Sequence, residues 1–104
     1  MARRKKRQNT PAPAPIRPKR EFVVHPEFWA DLRHWIDTDA KLARRLMDLV
    51  EEIGRDPFGG RAKPEPLKYQ SGAWARRLTS EHRVVYRVSA DRIEFASARG
   101  HYPR

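Results

Sequence analysis

Three strand-like stretches lie between residues 73 and 98, and only three residues separate each stretch from the next. The stretches are residues 73–79, 83–88 and 92–98, and the separators are Ser80-Glu81-His82 and Ser89-Ala90-Asp91. Because connections this short join antiparallel neighbours, the pattern predicts a three-stranded antiparallel meander. This meander constrains the fold more than any other part of the chain.

A strand and a helical hairpin are predicted to precede the meander. Residues 21–24 form a short strand, and Pro26 then suits the first turn of a helix that runs to about Ile36. A second helix is capped within Asp37-Thr38-Asp39 and ends at Gly54. The fold class is therefore α+β. The apolar stripes expected in the core are Phe28, Trp29, Leu32, Trp35 and Ile36 in the first helix and Leu42, Leu46, Leu49, Val50 and Ile53 in the second.

The 104 residues allow one compact domain, expected over residues 21–104. Residues 1–20 hold eight Lys or Arg, no acid and a run of alternating proline, and such a segment cannot bury apolar surface. We expect a disordered basic tail there. It is either an arm that grips nucleic acid or the ribosome, or a solvated extension.

The net charge of +10 comes mostly from this tail, since the rest of the chain holds 15 basic and 13 acidic residues. Residues 55–87 nevertheless carry eight bases against three acids, and this half is expected to face a polyanion. With no cysteine in the chain, disulfides, thiolate catalysis and cysteine-based zinc sites are excluded. The histidines do not stand at metal-ligand spacing, and no apolar run is long enough to span a bilayer. We expect a cytoplasmic protein without a metal.

One acid, several arginines and one histidine in the second half could form a ribonuclease site. Glu65 lies in a segment, residues 61–72, whose prolines predict a loop, and the alternative is that it pairs there with Lys63 or Lys68. A carboxylate can take the proton of a ribose 2′-OH, a guanidinium can hold the phosphate, and an imidazolium can protonate the leaving oxygen.

The meander predicts where the arginines lie. If its second turn centres near Ala90, Arg83 lies beside Ser97, and His101 follows within a few residues. Alternation puts Arg83 and Arg87 on one face of the sheet. The helices cover the other face, which carries Val84, Tyr86 and Val88, and Trp74 is expected to be at least half-buried, whereas His82 is interpreted as a turn residue.

Residues 22–102 closely resemble the YoeB/Txe family of type II toxins, part of the RelE-like superfamily. The matching motifs are Trp29-Ala30-Asp31-Leu32, Trp35 with Asp39, Asp56-Pro57-Phe58 with Gly60, Lys63-Pro64-Glu65-Pro66-Leu67-Lys68, Gly72-Ala73-Trp74-Ala75-Arg76-Arg77, Glu81-His82-Arg83-Val84-Val85-Tyr86 and His101-Tyr102. The resemblance implies a RelE-like fold and ribosome-dependent cleavage of mRNA in the decoding site, without metal or cofactor.

The resemblance also implies roles for particular residues. It implies Glu65 as general base, Arg83 as the cation at the phosphate, His101 as general acid and Tyr102 as an orienting group. The expected RNA or ribosome contacts are Lys68, Arg76 and Arg77, joined by Arg87 through its place beside Arg83. The alternative for these arginines is that they are exposed strand residues that protect a sheet edge from aggregation.

The implied partners are mRNA on the ribosome, a YefM/Phd-like antitoxin whose acidic C-terminal segment orders on the toxin, and a second copy in a homodimer. Two departures from the family concern the site: Ala75 stands where serine is usual, and Pro103-Arg104 extend beyond the terminal tyrosine. Two other functions stay open, a non-enzymatic ribosome or RNA binder and a gyrase-poisoning toxin of the same superfamily. The joint presence of Glu65, Arg83 and His101 favours the enzyme.

Overall fold

The computed structural model describes residues 19–60, 64–68 and 70–100. The described strands form one mixed five-stranded sheet in the order β1-β5-β4-β3-β2, and the helices pack on one face of it. The predicted α+β class is confirmed. In chain order the elements are β1 Glu21–Val24, α1 Pro26–Thr38, α2 Ala40–Arg55, β2 Glu65–Pro66, β3 Ala73–Arg77, β4 Arg83–Val88 and β5 Arg92–Ser97.

The basic tail lies outside the described residues except for Lys19 and Arg20, and so do His101 and Tyr102. Within the described part of the chain, neither helix combines the length and apolar character needed to cross a membrane.

Asp39 separates the two helices. Its backbone N–H donates to the Trp35 carbonyl at 2.7 Å and closes α1, while its carboxylate accepts from the backbone N–H of Leu42 at 3.1 Å and caps α2. A single residue thus satisfies backbone groups at both helix ends. The predicted helical hairpin is confirmed, with its break at the expected place.

Helix α2 continues to Arg55, so the prediction that it ends at Gly54 is one residue short. A Cβ at Gly54 would clash with Cζ of Phe22. Glycine stands there because the Phe22 ring packs directly on the helix backbone. The same ring meets Phe95 edge-on at 5.5 Å, which joins β1 to both the helix and the sheet.

The sheet extends beyond the predicted meander at both edges. Strand β1 pairs in parallel with β5, with Val24 opposite Phe95. At the other edge Glu65 and Pro66 form a two-residue strand antiparallel to β3, so the prediction of a loop is wrong at these two positions. Pro66 lacks a backbone donor, and an edge strand tolerates that loss because one side of it needs no partner.

The register of β4 and β5 differs from the prediction. Ser97 lies opposite Val85, not Arg83. Next to the turn Val88 already pairs with Ile93, one residue later than predicted, and an irregularity between Val85 and Tyr86 shifts the pairing by one more residue. Arg83 therefore lies beyond the paired part of β5. Its backbone N–H donates instead to the carbonyl of Gly100 at 3.1 Å.

The main core lies between the helices and the sheet, and Tyr86, Phe95, Leu46 and Ile53 are fully buried in it. Trp74 is half-buried against this core, as expected. The apolar stripe of α1 is narrower than predicted, since Trp29 and Ile36 are 51% and 53% exposed. They are seven residues apart and share one flank of the helix, outside the line of Phe28, Leu32 and Trp35.

Candidate functional site on the open face of the sheet

The sheet face opposite the helices, here called the open face, has a small apolar floor. Leu67, Ala73, Ala75 and Val85 are buried there, and Ala96 packs against them. Since the helices do not cover this face, charged side chains around the floor are accessible to a partner.

The strand register places Glu65 on the open face. Glu65 lies opposite Ala75, and Ala75 lies opposite Val85, so the three residues form one row across β2, β3 and β4. Ala75 and Val85 belong to the floor, which sets the side on which the exposed Glu65 stands. The methyl group of Ala75 lies between the acid and Val85 in this row.

Arg77 and Arg83 form the next row on this face. They lie opposite each other in the β3–β4 pairing, two residues along from Ala75 and Val85. Side chains two residues apart on a strand share a face. The predicted acid and two of the predicted arginines are therefore brought to one side of the sheet.

The Arg83 guanidinium is anchored at one end. Its Nη1 donates to the Thr79 carbonyl at 2.8 Å and also approaches the carbonyls of Ser80 and His82. Among the described residues, no hydrogen bond engages its Nη2 or Nε. A guanidinium fixed through one nitrogen can still offer its other donors to a phosphate.

Arg87 is exposed at the far end of the face, and Lys68 is exposed in the turn that follows β2. Arg87 donates from Nη1 to the Ser71 carbonyl at 2.7 Å and lies opposite Glu94 in the register. The carboxylate of Glu94 in turn contacts Nε2 of His25 at 3.0 Å. The positive charge of this end is thus partly balanced, whereas Arg77 and Arg83 stand in the row next to that of Glu65.

Arg76 does not lie on the open face, and its expected exposure is wrong. The residue is fully buried on the helix side, where Nη2 donates to the Asp56 carbonyl at 3.1 Å. Its Nη1 lies 3.7 Å from the Glu52 carboxylate, although Nε and Nη1 have no hydrogen-bond partner among the described residues. Arg76 and Arg77 look alike in sequence, but alternation sends them to opposite faces. In the free protein Arg76 offers no surface to RNA.

Arg77 also borders a cleft of about 530 Å³ between α2 and the end of β3. Arg45, Asp48 and Glu52 are among the other residues that line it, so charges of both signs alternate around the opening. A cleft with this balance of charge does not favour a polyanion, which leaves the open face as the better candidate.

After β5 the chain returns to the neighbourhood of Arg83, just before residue 101. The Arg83–Gly100 hydrogen bond places the end of the described chain at the edge of the open face. His101 and Tyr102 lie outside the described residues, so their convergence with Arg83 and Glu65 stays a prediction. The later register at the turn and the irregularity between Val85 and Tyr86 together explain why the contact falls beyond Ser97, at Gly100.

Sequence reasoning assigned His82 only to a turn. The structure shows that its Nδ1 accepts from the backbone N–H of Gly100 at 2.7 Å. The only signal in the sequence was its position beside Arg83. As to metals, no group of three or more His, Cys, Asp or Glu in the described part of the chain could hold an ion.

Comparison with known proteins shows which family the chain resembles. A family model described as the YoeB-like toxin of bacterial type II toxin-antitoxin systems matches residues 24–102. Toxin YoeB of Mycobacterium bovis is 49% identical over 84 residues, which cover 80% of this chain and 99% of the relative. Toxin YoeB of Escherichia coli K12 is 44% identical over 83 residues, covering 79% and 99%.

Solved structures give the same result. A YoeB/ParE toxin from Agrobacterium tumefaciens superposes with a TM-score of 0.73 at 42% identity, covering 79% of this chain and 99% of the other. The YoeB dimer from Staphylococcus aureus gives 0.73 at 30% identity, covering 81% and 99%. A YoeB-YefM complex from the same organism gives 0.69 at 30% identity, covering 80% and 98%.

Proposed function

Since the chain belongs to the YoeB family of toxins of bacterial type II toxin-antitoxin systems, we propose that it acts as a ribosome-dependent endoribonuclease. The observation that carries this proposal is the register that places Glu65, Arg77 and Arg83 on the open face. An acid beside two cations, on the face that the helices leave open, suits a phosphodiester better than a neutral substrate.

The proposed reaction is an internal transfer of the scissile phosphate. Glu65 takes the proton from a ribose 2′-OH, and the 2′ oxygen attacks the adjacent phosphorus. The bond from phosphorus to the 5′ oxygen breaks, and His101 gives that oxygen a proton. The products are a 2′,3′-cyclic phosphate and a 5′-hydroxyl. Each of these steps uses a side chain of this chain or a group of the RNA.

Arg83 stabilises the negative charge that accumulates on the phosphate oxygens as the new bond forms. A donor held in place before the reaction costs no reorganisation when charge develops, and the Nη1 anchors of Arg83 supply that rigidity. Tyr102 orients the nucleotide. Lys68, Arg77 and Arg87 bind RNA or ribosome phosphates, while Arg76 is removed from this set because it is buried.

The proposed inhibitor is a YefM-like antitoxin that covers the open face. A relative from Staphylococcus aureus has been solved as a YoeB-YefM complex, and another structure is a YoeB dimer. An acidic segment would neutralise Arg77, Arg83 and Arg87 together. Hydrogen exchange in the complex should protect the amides of β3 and β4, and protection confined to the helices would contradict this placement.

The decisive experiment follows cleavage of a defined mRNA on purified ribosomes. Glu65→Gln should slow cleavage about 100- to 10,000-fold, the range for loss of a general acid or base. Glu51→Gln, an equally conservative change on α2, is the matched control and should cleave like the unmodified protein. The reaction should also slow at both extremes of pH, since one group must be ionised while the other is protonated.

A modified substrate tests the nucleophile. Replacing the 2′-OH of the attacking nucleotide by 2′-deoxy or 2′-O-methyl should abolish cleavage and leave ribosome binding intact. Continued cleavage of that mRNA would sink the proposed mechanism. Binding without cleavage of any mRNA would instead identify a non-enzymatic inhibitor.

A further inference from the structure

The segment that leads to residue 101 is held by side chains from two separate elements. Asp31 of α1 accepts from the Ala98 backbone N–H through Oδ2 at 2.8 Å, and the Trp35 indole donates to the Ala98 carbonyl at 3.0 Å. From the turn between β3 and β4, His82 Nδ1 accepts from the Gly100 N–H. Ala98 is fully buried, so this segment is fixed before it reaches the surface.

His82 and Arg83 together hold both backbone groups of Gly100. His82 accepts from its N–H at 2.7 Å, and the Arg83 N–H donates to its carbonyl at 3.1 Å. Gly100 has a φ of +80°, a conformation that glycine adopts without strain. The position of Gly100 is therefore set by His82 and by Arg83, the proposed phosphate-binding arginine.

The ring of His82 is itself held in place. It meets the Trp35 ring edge-on at 4.7 Å, and the backbone N–H of His82 donates to Thr79 Oγ1 at 3.1 Å. Because Nδ1 accepts from an N–H, it carries no proton, and the hydrogen-bond network assigns the ring proton to Nε2. Trp35 also binds Ala98, so His82, Trp35 and the 98–100 segment form a closed ring of contacts.

On the basis of the proposed function, we propose that His82 is a positioning residue: it fixes Gly100 against Arg83, and with it the point from which the chain continues to the proposed general acid. His82 touches neither substrate nor reacting atoms. It acts through the Gly100 backbone, which carries His101 as the next residue. A displacement of about 1 Å between groups that act on one phosphate can cost roughly 100-fold in rate.

Two amide substitutions separate this role from a merely structural one. In His82→Asn the side-chain oxygen takes the place of Nδ1, whereas in His82→Gln the oxygen reaches the position of Nε2. Both variants remove the ring contact with Trp35, so any general loss of packing affects them alike. The readouts are single-turnover cleavage at saturating ribosome concentration, ribosome affinity and thermal unfolding.

We expect the Asn variant to cleave within about threefold of the unmodified protein and the Gln variant to be slower by about 10- to 100-fold, with similar ribosome affinities. Equal cleavage rates for the folded Asn and Gln variants would overturn the proposal. If either variant fails to fold, His82→Phe, which keeps the ring and lacks the acceptor, takes its place, and cleavage at the normal rate would then be the contradicting result. Failure of the unmodified protein to cleave would refute the proposed function instead.

Discussion

The phenolic hydroxyl of Tyr86 donates to the carbonyl oxygen of Pro57 at 2.6 Å. The neighbouring carbonyl, that of Asp56, accepts from the buried Arg76 guanidinium. Two side chains from adjacent strands thus bind consecutive carbonyls of the segment that follows α2. This arrangement fixes the end of the helical hairpin to the sheet.

Stability should decline at alkaline pH because of Tyr86. Burial raises the pKa of its hydroxyl, and the nearby Arg76 charge only partly opposes this effect. The folded state therefore holds this proton more tightly than the unfolded chain, whose tyrosine pKa is about 10. The contribution is complete below that pH and is lost as the pH rises through the folded-state pKa.

This prediction is checked by measuring denaturant unfolding at several pH values from about 9 to about 12. Tyr86→Phe should flatten the decline in unfolding free energy, while its stability at neutral pH falls by about 1 kcal/mol through the lost hydrogen bond. The other titrating side chains are the same in both proteins. Identical pH slopes would show that Tyr86 does not carry the effect.

Replacing Arg76 by alanine should lower stability, whereas replacing Arg77 by alanine should weaken binding. Arg76→Ala leaves a cavity in the core and removes the bond to Asp56, and we expect a loss of about 2 to 4 kcal/mol in unfolding free energy. Arg77→Ala should leave stability nearly unchanged and weaken RNA or ribosome binding, most at low salt. Urea unfolding and ribosome binding distinguish the two, and a folded Arg76→Ala protein of normal stability would contradict the buried role.

The single-residue break between the helices should depend on the Asp39 cap. Asp39→Ala removes the acceptor for the Leu42 N–H and should cost about 1 kcal/mol. Asp37→Ala, an exposed acid in the last turn of α1, is the control and should be neutral or slightly stabilising. Thermal unfolding of both variants measures the difference.

Asp31 should matter through its acceptor and not through its charge. Asp31→Ala leaves the buried Ala98 N–H unsatisfied and should destabilise the protein by about 1.5 to 3 kcal/mol. Asp31→Asn keeps an acceptor oxygen and should cost less. Equal losses in chemical denaturation would show that the negative charge itself is required.

Local patterns were enough to predict the hairpin and the meander. The apolar spacing of α1 and α2 and the short turns of the meander are properties of neighbouring residues. The hairpin and the meander were both found, although β3 ends at Arg77, so the first connection spans residues 78–82 and only the second has the three residues expected. The narrower stripe of α1 was not predictable, because whether Trp29 and Ile36 are covered depends on how closely the helix sits on the sheet.

The errors at the site come from pairings between distant residues. The prolines around Glu65 favour a loop in isolation, and only an available edge of β3 makes residues 65–66 a strand. The identical side chains of Arg76 and Arg77 give no local sign of which one is buried. The alternation of side chains along β3 decides it. In the same way, the register at the turn and the irregularity between Val85 and Tyr86 decide that Arg83 meets Gly100.

The parallel pairing of β1 with β5 also governs how the chain folds during its own synthesis. These strands pair residues such as Glu21 and Arg92, which are 71 positions apart in the sequence. Contacts at such separations form slowly, since the loop between them must close first. Strand β1 therefore stays unpaired until β5 has been synthesised, and Gly100 is translated later still. A nascent or truncated chain that lacks β5 leaves β1 without its partner and β4 without one of its neighbours, so the proposed site would form only after β5 and Gly100 have been synthesised.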